Sequence, residues 1–155
     1  MHRKHLKIAV VLMALVGALF TTGQASAAPA ATDGTYGTTG TITRMTAVPA
    51  NGRVSCFGYY GTFKTGTYVM VVDWVTASDE CFGIATDRTI WHVWPNSGGW
   101  KPMPGGGHAD LIYGEIVENI TTGARGIAVF ASTNGTYWCQ DYYRSTDWTG
   151  DWYLC

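Results

Sequence analysis

The sequence predicts an all-β fold: a single small antiparallel domain of repeated hairpins, barrel, sandwich or blade-like in arrangement, stapled by two disulfides. Three observations predict it. No stretch keeps the apolar period of an amphipathic helix over the roughly ten residues such a helix needs. Valine, threonine and aromatic residues, which suit a pleated and half-buried surface, are abundant, and turn signals return about every dozen residues. A strand–turn–strand unit recurs along the chain.

Cys56-Phe57-Gly58 returns as Cys81-Phe82-Gly83, and each is followed by a turn and a strand: Lys64-Thr65-Gly66 then Thr67 to Met70, and Thr86-Asp87-Arg88 then Thr89 to His92. A third copy lacks the cysteine. It runs Val129-Phe130-Ala131, turn Thr133-Asn134-Gly135, then Thr136 to Cys139. Between the second and third copies, Asp110 to Glu118 and Gly126 to Phe130 read as strands about a Thr121-Thr122-Gly123 turn. Three such units imply antiparallel hairpins.

Residues 1–27 read as an export signal. A basic start (His2, Arg3, Lys4, Lys7) precedes an apolar run ending at Phe20, and Ala25-Ser26-Ala27 has the small-x-small form of a cleavage site. The run is shorter than the ~20 residues that cross a bilayer, so the expected product is secreted and extracellular, with no membrane attachment after cleavage. Removing 27 of 155 residues leaves 128, enough for one domain. Loss of Arg3, Lys4 and Lys7 from the ten basic residues leaves seven against eleven acidic ones, a net charge of −4. Such a balance argues against nucleic acid as a partner, because that partner needs a basic footprint.

Residues 28–48 are small and polar at first, with too little to bury to offset the entropy of ordering, and are expected to form a flexible arm. Within them, Thr41 to Val48 brings Ile42, Met45 and Val48 with several threonines, a plausible first strand or strand-adding segment. The folded body is expected over residues 49–155, beginning near the turn dipeptide Asn51-Gly52.

All four cysteines, Cys56, Cys81, Cys139 and Cys155, lie beyond the signal, and an even count in an oxidising compartment reads as two disulfides. No pair has the C-x-x-C spacing of a metal or redox site. Of the three pairings, Cys56 with Cys81 and Cys139 with Cys155 is preferred because each closes a short local loop.

Thr89 to Asp110 joins a tryptophan-rich strand to a long glycine and proline loop holding His108. Loops longer than a hairpin needs, on a rigid scaffold, tend to carry function, and Trp100 is the expected contact. The tail from Tyr137 to Cys155 is crowded with rings, among them Trp138, Trp148 and Trp152. Rings stack on the apolar face of a pyranose while nearby polar groups hold its hydroxyls. Strand alternation turns about half of such rings inward, so core packing competes with binding for each one.

Trp91-His92-Val93-Trp94, Gly98-Gly99-Trp100 and Gly105-Gly106 resemble one blade unit of the tryptophan-rich β-propeller lectins of the tectonin type. Val129-Phe130, Asn134-Gly135, Trp138, Gln140 and Trp148-Thr149-Gly150-Asp151-Trp152 resemble a second. Members of that family bind glycans between neighbouring blades, so the resemblance, which spans the last ~70 residues, implies glycan contacts at Trp91, Trp94, Trp100, Trp138, Trp148 and Trp152. Two units fall short of the about four that close a propeller, so a closed ring would require oligomerisation.

Gly105-Gly106-Gly107-His108 lacks the Gly-Lys-Ser/Thr ending of a phosphate loop and reads as a flexible or sharply turning loop. His92, His108 and Asp110 offer a metal set, or with Ser97 a nucleophile and base, but no nucleophile elbow or paired-carboxylate constellation accompanies them. No enzyme, metal or cofactor is therefore expected. Asp79-Glu80, Asp147 and Asp151 lack the alternating oxygen ligands of a calcium loop and read as solvated turns. Asn119 and Asn134 begin glycosylation sequons, yet the alanine-rich signal and Gly/Thr-rich body look bacterial, so these are expected to stay unmodified.

Two functions follow as expectations. The first is a non-catalytic module that recognises extracellular carbohydrate or a partner protein through Trp91, Trp94, Trp100, His108, Trp138, Trp148 and Trp152. The second is an adapter or inhibitor subunit of a secreted assembly, such as a bacterial toxin particle, that docks residues 28–48 into a partner by β-augmentation.

Overall fold

Tyr68–Asp73 (YVMVVD) carries two alternating sets of apolar side chains, and Val69, Met70, Val71 and Val72 are all buried. Side chains of a strand alternate between faces, so this pattern requires a layer on each side. The computed structural model, which describes residues 40–155, supplies both.

The central sheet contains β1 (Thr41–Ala47), β4 (Tyr68–Asp73), β5 (Glu80–Ile84), β6 (Ile90–Val93) and β7 (Lys101–Pro102), antiparallel in that order. A second antiparallel sheet is ordered β11 (Asp147–Trp148), β10 (Thr136–Tyr143), β9 (Ala124–Ala131), β8 (Leu111–Asn119), and β12 (Tyr153–Leu154) also pairs with β10. A separate hairpin joins β2 (Arg53–Cys56) to β3 (Tyr59–Thr62). The fold is all-β and antiparallel, with sheets that stack and do not close into a barrel.

Met70 and Val72 from β4, Phe82 and Ile84 from β5 and Ile90 from β6 meet Ile112, Ile116, Ile127, Val129 and Trp148 of the second sheet in the main core. Val69, Val71, Cys81 and Val93, on the opposite face of the central sheet, pack with Val48, Val54, Cys56 and Phe63 under the hairpin. The molecule thus has three layers. Phe63 lies against the bare backbones of Gly61 and Gly83, where an added Cβ would stand 2.6 Å and 2.7 Å from its ring.

Both preferred disulfides form. Cys56–Cys81 fastens the hairpin to the middle of the central sheet, with Cα atoms 6.6 Å apart. Cys139–Cys155 ties the final residue to β10, beside the Cys155 N–H that donates to the Tyr137 carbonyl at 3.3 Å.

The second and third sequence copies are true hairpins, β5 into β6 and β9 into β10. The first differs. Phe57 and Gly58 form the turn of the β2–β3 hairpin with positive φ of 50° and 84°, whereas Phe82 and Gly83 lie inside β5. A shared tripeptide adopts two conformations because Phe82 fills the main core while Phe57 sits on a turn at the surface, 36% exposed.

Residues 41–47, within the arm's bounds but read as a first strand, form β1 and pair with β4 from Thr41↔Asp73 to Ala47↔Tyr68. Val48 is buried, and its N–H donates to the Thr67 carbonyl at 2.9 Å. The export signal and residues 28–39 of the arm lie outside the described residues.

Candidate functional site

Two clefts hold five of the seven expected contact residues. The first forms where the start of β5 faces the end of the second sheet. Alternation puts Glu80 on the same face as Phe82 and Ile84, so this carboxylate enters the interior and is 3% exposed. Its Oε1 accepts from the Trp148 indole at 3.2 Å and lies 2.6 Å from His92 Nδ1. Its Oε2 accepts from the Trp74 indole at 3.1 Å and stands 3.7 Å from Arg125 Nη1. Buried charge survives only when paired and hydrogen-bonded, and four residues from both sheets meet that need.

Arg125 enters from β9 and is 8% exposed. Its guanidinium lies 3.7 Å over the Tyr142 ring and 5.3 Å over the Trp74 ring. Its Nε is enclosed with no hydrogen-bond partner. A cleft of about 270 Å³ opens above this group, walled by Trp94, Tyr142 and Trp148 and rimmed by Ser78 and Asp147. Asp147 holds a left-handed φ of 65°, a conformation that Asp tolerates better than most side chains, and its Oδ1 accepts from the Trp148 N–H at 3.0 Å.

The second cleft, of about 310 Å³, lies at the other end of the strands. It brings together His108, Trp138 and Trp152, with Arg88, Thr133 and Asn134 as further polar lining. Its loop is held firmly. The Pro104 carbonyl accepts from Gln140 Nε2 at 3.0 Å and from the Trp152 indole at 3.2 Å. Gly105 adopts a φ of 84°, with Gly150 in the space a Cβ would take, and a Cβ on Gly107 would stand 2.5 Å from Trp152 Nε1. The glycines therefore permit close contact and a sharp turn. Of the two behaviours expected for this loop, flexibility gives way to a clamped bend.

The remaining expected contacts lie elsewhere. Trp100 packs on the hairpin layer. Its ring meets Phe63 edge-on at 4.5 Å and its indole donates to the Tyr59 carbonyl at 3.1 Å, so it supports the hairpin layer. Trp91 is half-buried against the same cluster and donates to Thr89 Oγ1 at 2.7 Å. Trp94, from the end of the tryptophan-rich strand, and Trp148, from the aromatic tail, both line the first cleft.

The residues weighed as a catalytic or metal set are separated. His92 is buried against Glu80, and His108 lies in the second cleft. Asp110 is a clasp: it accepts from Lys64 Nζ at 2.7 Å, from Arg88 Nε and Nη2 at 3.0 Å each, and from Ser132 N and Oγ at 2.8 Å and 2.7 Å. These donors, Lys64 foremost, hold its carboxyl far below the ordinary aspartate value. Among the described residues no three His, Cys, Asp or Glu side chains are placed to hold a metal ion.

Sequence reasoning missed Glu80 and Arg125, and placed Tyr142 only within the ring-crowded tail. Glu80 was expected in a solvated turn beside Asp79, yet it is interior. Its spacing of two from Phe82 and four from Ile84 carried that signal. Arg125 offered a similar one, two residues before Ile127 and four before Val129. No family model, no curated protein and no solved structure matches this chain.

Proposed function

We propose that the chain is a secreted, non-catalytic binding module that recognises extracellular carbohydrate in the cleft formed by His108, Trp138 and Trp152. One observation carries the reading: three segments far apart in sequence place two indoles and an imidazole around a single cleft. Indole faces suit the C–H face of a pyranose, and Arg88, His108, Thr133 and Asn134 offer hydrogen bonds to hydroxyls. Because the loop is already clamped by Gln140 and Trp152, little ordering opposes binding. The cleft volume is near the lower limit of small-ligand sites, which favours a chain end over a long run of sugar rings. The tectonin-like resemblance and the two disulfides agree with this reading; disulfides are at home in an oxidising, extracellular setting.

A glycan array probed with the wild-type chain and with Trp138→Ala, Trp152→Ala and Trp100→Ala variants tests it. Binding is expected to fall at least about tenfold in the first two and to persist in the third. Failure of the wild type to bind any glycan, or undiminished binding by a Trp138→Ala, Trp152→Ala double variant, overturns it.

The adapter reading has one observation of its own. β1 is an edge strand whose outer side pairs with no other strand among the described residues, and such an edge can accept a strand from a partner. In that case the sheet edge receives the partner, since residues 41–47 are already part of the sheet.

A further inference from the structure

We propose that the cleft over Arg125 is a second binding site, for a singly charged carboxylate carried on a ring or apolar body. It is independent of the carbohydrate reading, because the two clefts lie at opposite ends of β9: Arg125 lines one and Ala131 the other, roughly 20 Å apart along the strand.

Arg125 is the anchor. A guanidinium offers five N–H donors in a fixed plane, and one that is 92% removed from solvent ordinarily spends them on acceptors. Here the nearest carboxylate oxygen, Glu80 Oε2, is beyond hydrogen-bonding distance at 3.7 Å. Glu80 is held more closely by Trp74, Trp148 and His92, so it leaves the fork of Arg125 unfilled. Tyr142, 3.7 Å beneath the guanidinium, fixes its plane. Nε is sealed inside without a partner and Arg125 lines the cleft, so the Nη edge is the one an incoming carboxylate would meet. This edge matches a carboxylate, which takes two parallel N–H bonds from it.

Charge and shape narrow the class. Glu80 and Asp147 line the same cleft and would repel a doubly charged phosphate more strongly than a single carboxylate. A neutral amide would gain no charge-assisted bond. Trp94 and Trp148 line the cleft beside the guanidinium, with Tyr142 beneath it, so the group attached to the carboxylate meets aromatic surface. His92, whose Nδ1 is committed to Glu80, has Nε2 as its remaining polar atom for a second contact. An acidic sugar and an aromatic acid both present this chemistry.

Indole N–H signals in ¹⁵N–¹H spectra of the full chain provide the test, with benzoate, glucuronate, benzamide and inorganic phosphate as probes. Benzoate, glucuronate or both are expected to move the Trp148 and Trp74 signals saturably at concentrations up to about 20 mM, leaving Trp100 in place; movement of Trp152 by glucuronate reports the carbohydrate cleft and not this one. Which of the two binds distinguishes the aromatic from the sugar source. Benzamide and phosphate are expected to bind about tenfold more weakly or not at all. Arg125→Lys keeps the charge and loses the planar fork, and should weaken binding about tenfold. Asp147→Asn keeps a residue that tolerates the left-handed backbone and removes a repelling charge, and should tighten binding about twofold. This variant decides the matter should Arg125→Lys fail to fold. The proposal is overturned if neither carboxylate moves these signals, if benzamide binds as tightly as benzoate, if Arg125→Lys folds and binds unchanged, or if Asp147→Asn weakens binding.

Discussion

His92 Nδ1 and Glu80 Oε1 lie 2.6 Å apart in the interior, and the same carboxylate takes the indole protons of Trp74 and Trp148. Trp148 belongs to the second sheet, so Glu80 joins the two sheets by polar contacts in the interior. Replacing it with glutamine puts an amide donor where only acceptors suit the neighbours and leaves Arg125 without its counter-charge. Glu80→Gln is expected to lower unfolding free energy by about 3 kcal/mol, as read from urea denaturation followed by tryptophan fluorescence.

Asp110 governs the acid side of stability. Its carboxyl is depressed by Lys64, Ser132 and Arg88. A group with a depressed folded value stabilises fully above its unfolded value, and that contribution fades as pH falls through the folded one. Wild-type stability should therefore decline from about pH 5 downward, and the gap between wild type and Asp110→Asn should narrow over the same range. Urea midpoints measured from pH 7 to pH 3 check this; a gap that stays constant contradicts it.

Gly83 admits Phe63 because it has no side chain. Gly83→Ala forces a buried ring or the sheet backbone to shift, and is expected to cost about 1–3 kcal/mol. A thermal melt that matches wild type would show that the ring moves aside freely.

Trp100→Ala separates stability from binding. It removes the edge contact to Phe63 and the hydrogen bond to Tyr59, and should cost about 2 kcal/mol given its partial burial. Glycan binding by the folded variant should match wild type. A loss of binding with unchanged stability would return Trp100 to the ligand site.

The strands and disulfides were legible because their signals are local. Alternation at Tyr68–Asp73, turn residues at Thr133-Asn134-Gly135 and the short separations between Cys56 and Cys81 and between Cys139 and Cys155 each act within one or two neighbouring segments. The first cleft was not legible in the same way. Glu80 and Arg125 are 45 positions apart in sequence, and their meeting depends on how one sheet stacks on the other. The packing of Trp100 was not legible for a related reason: length and composition identify a long loop, but only the hairpin folding back over the central sheet gives its tryptophan something to cover. Cys-Phe-Gly marks a shared spelling at 56–58 and 81–83, while the layer each phenylalanine faces decides the backbone.

The two apolar clusters on opposite faces of the central sheet have no buried side chain in common. Side-chain changes beneath the β2–β3 hairpin meet the main core only through the shared strand backbones, and the hairpin tip at Phe57-Gly58 is exposed. That tip is a natural graft point, where a foreign loop or an affinity peptide can be carried outside both clefts and held to the scaffold through Cys56–Cys81.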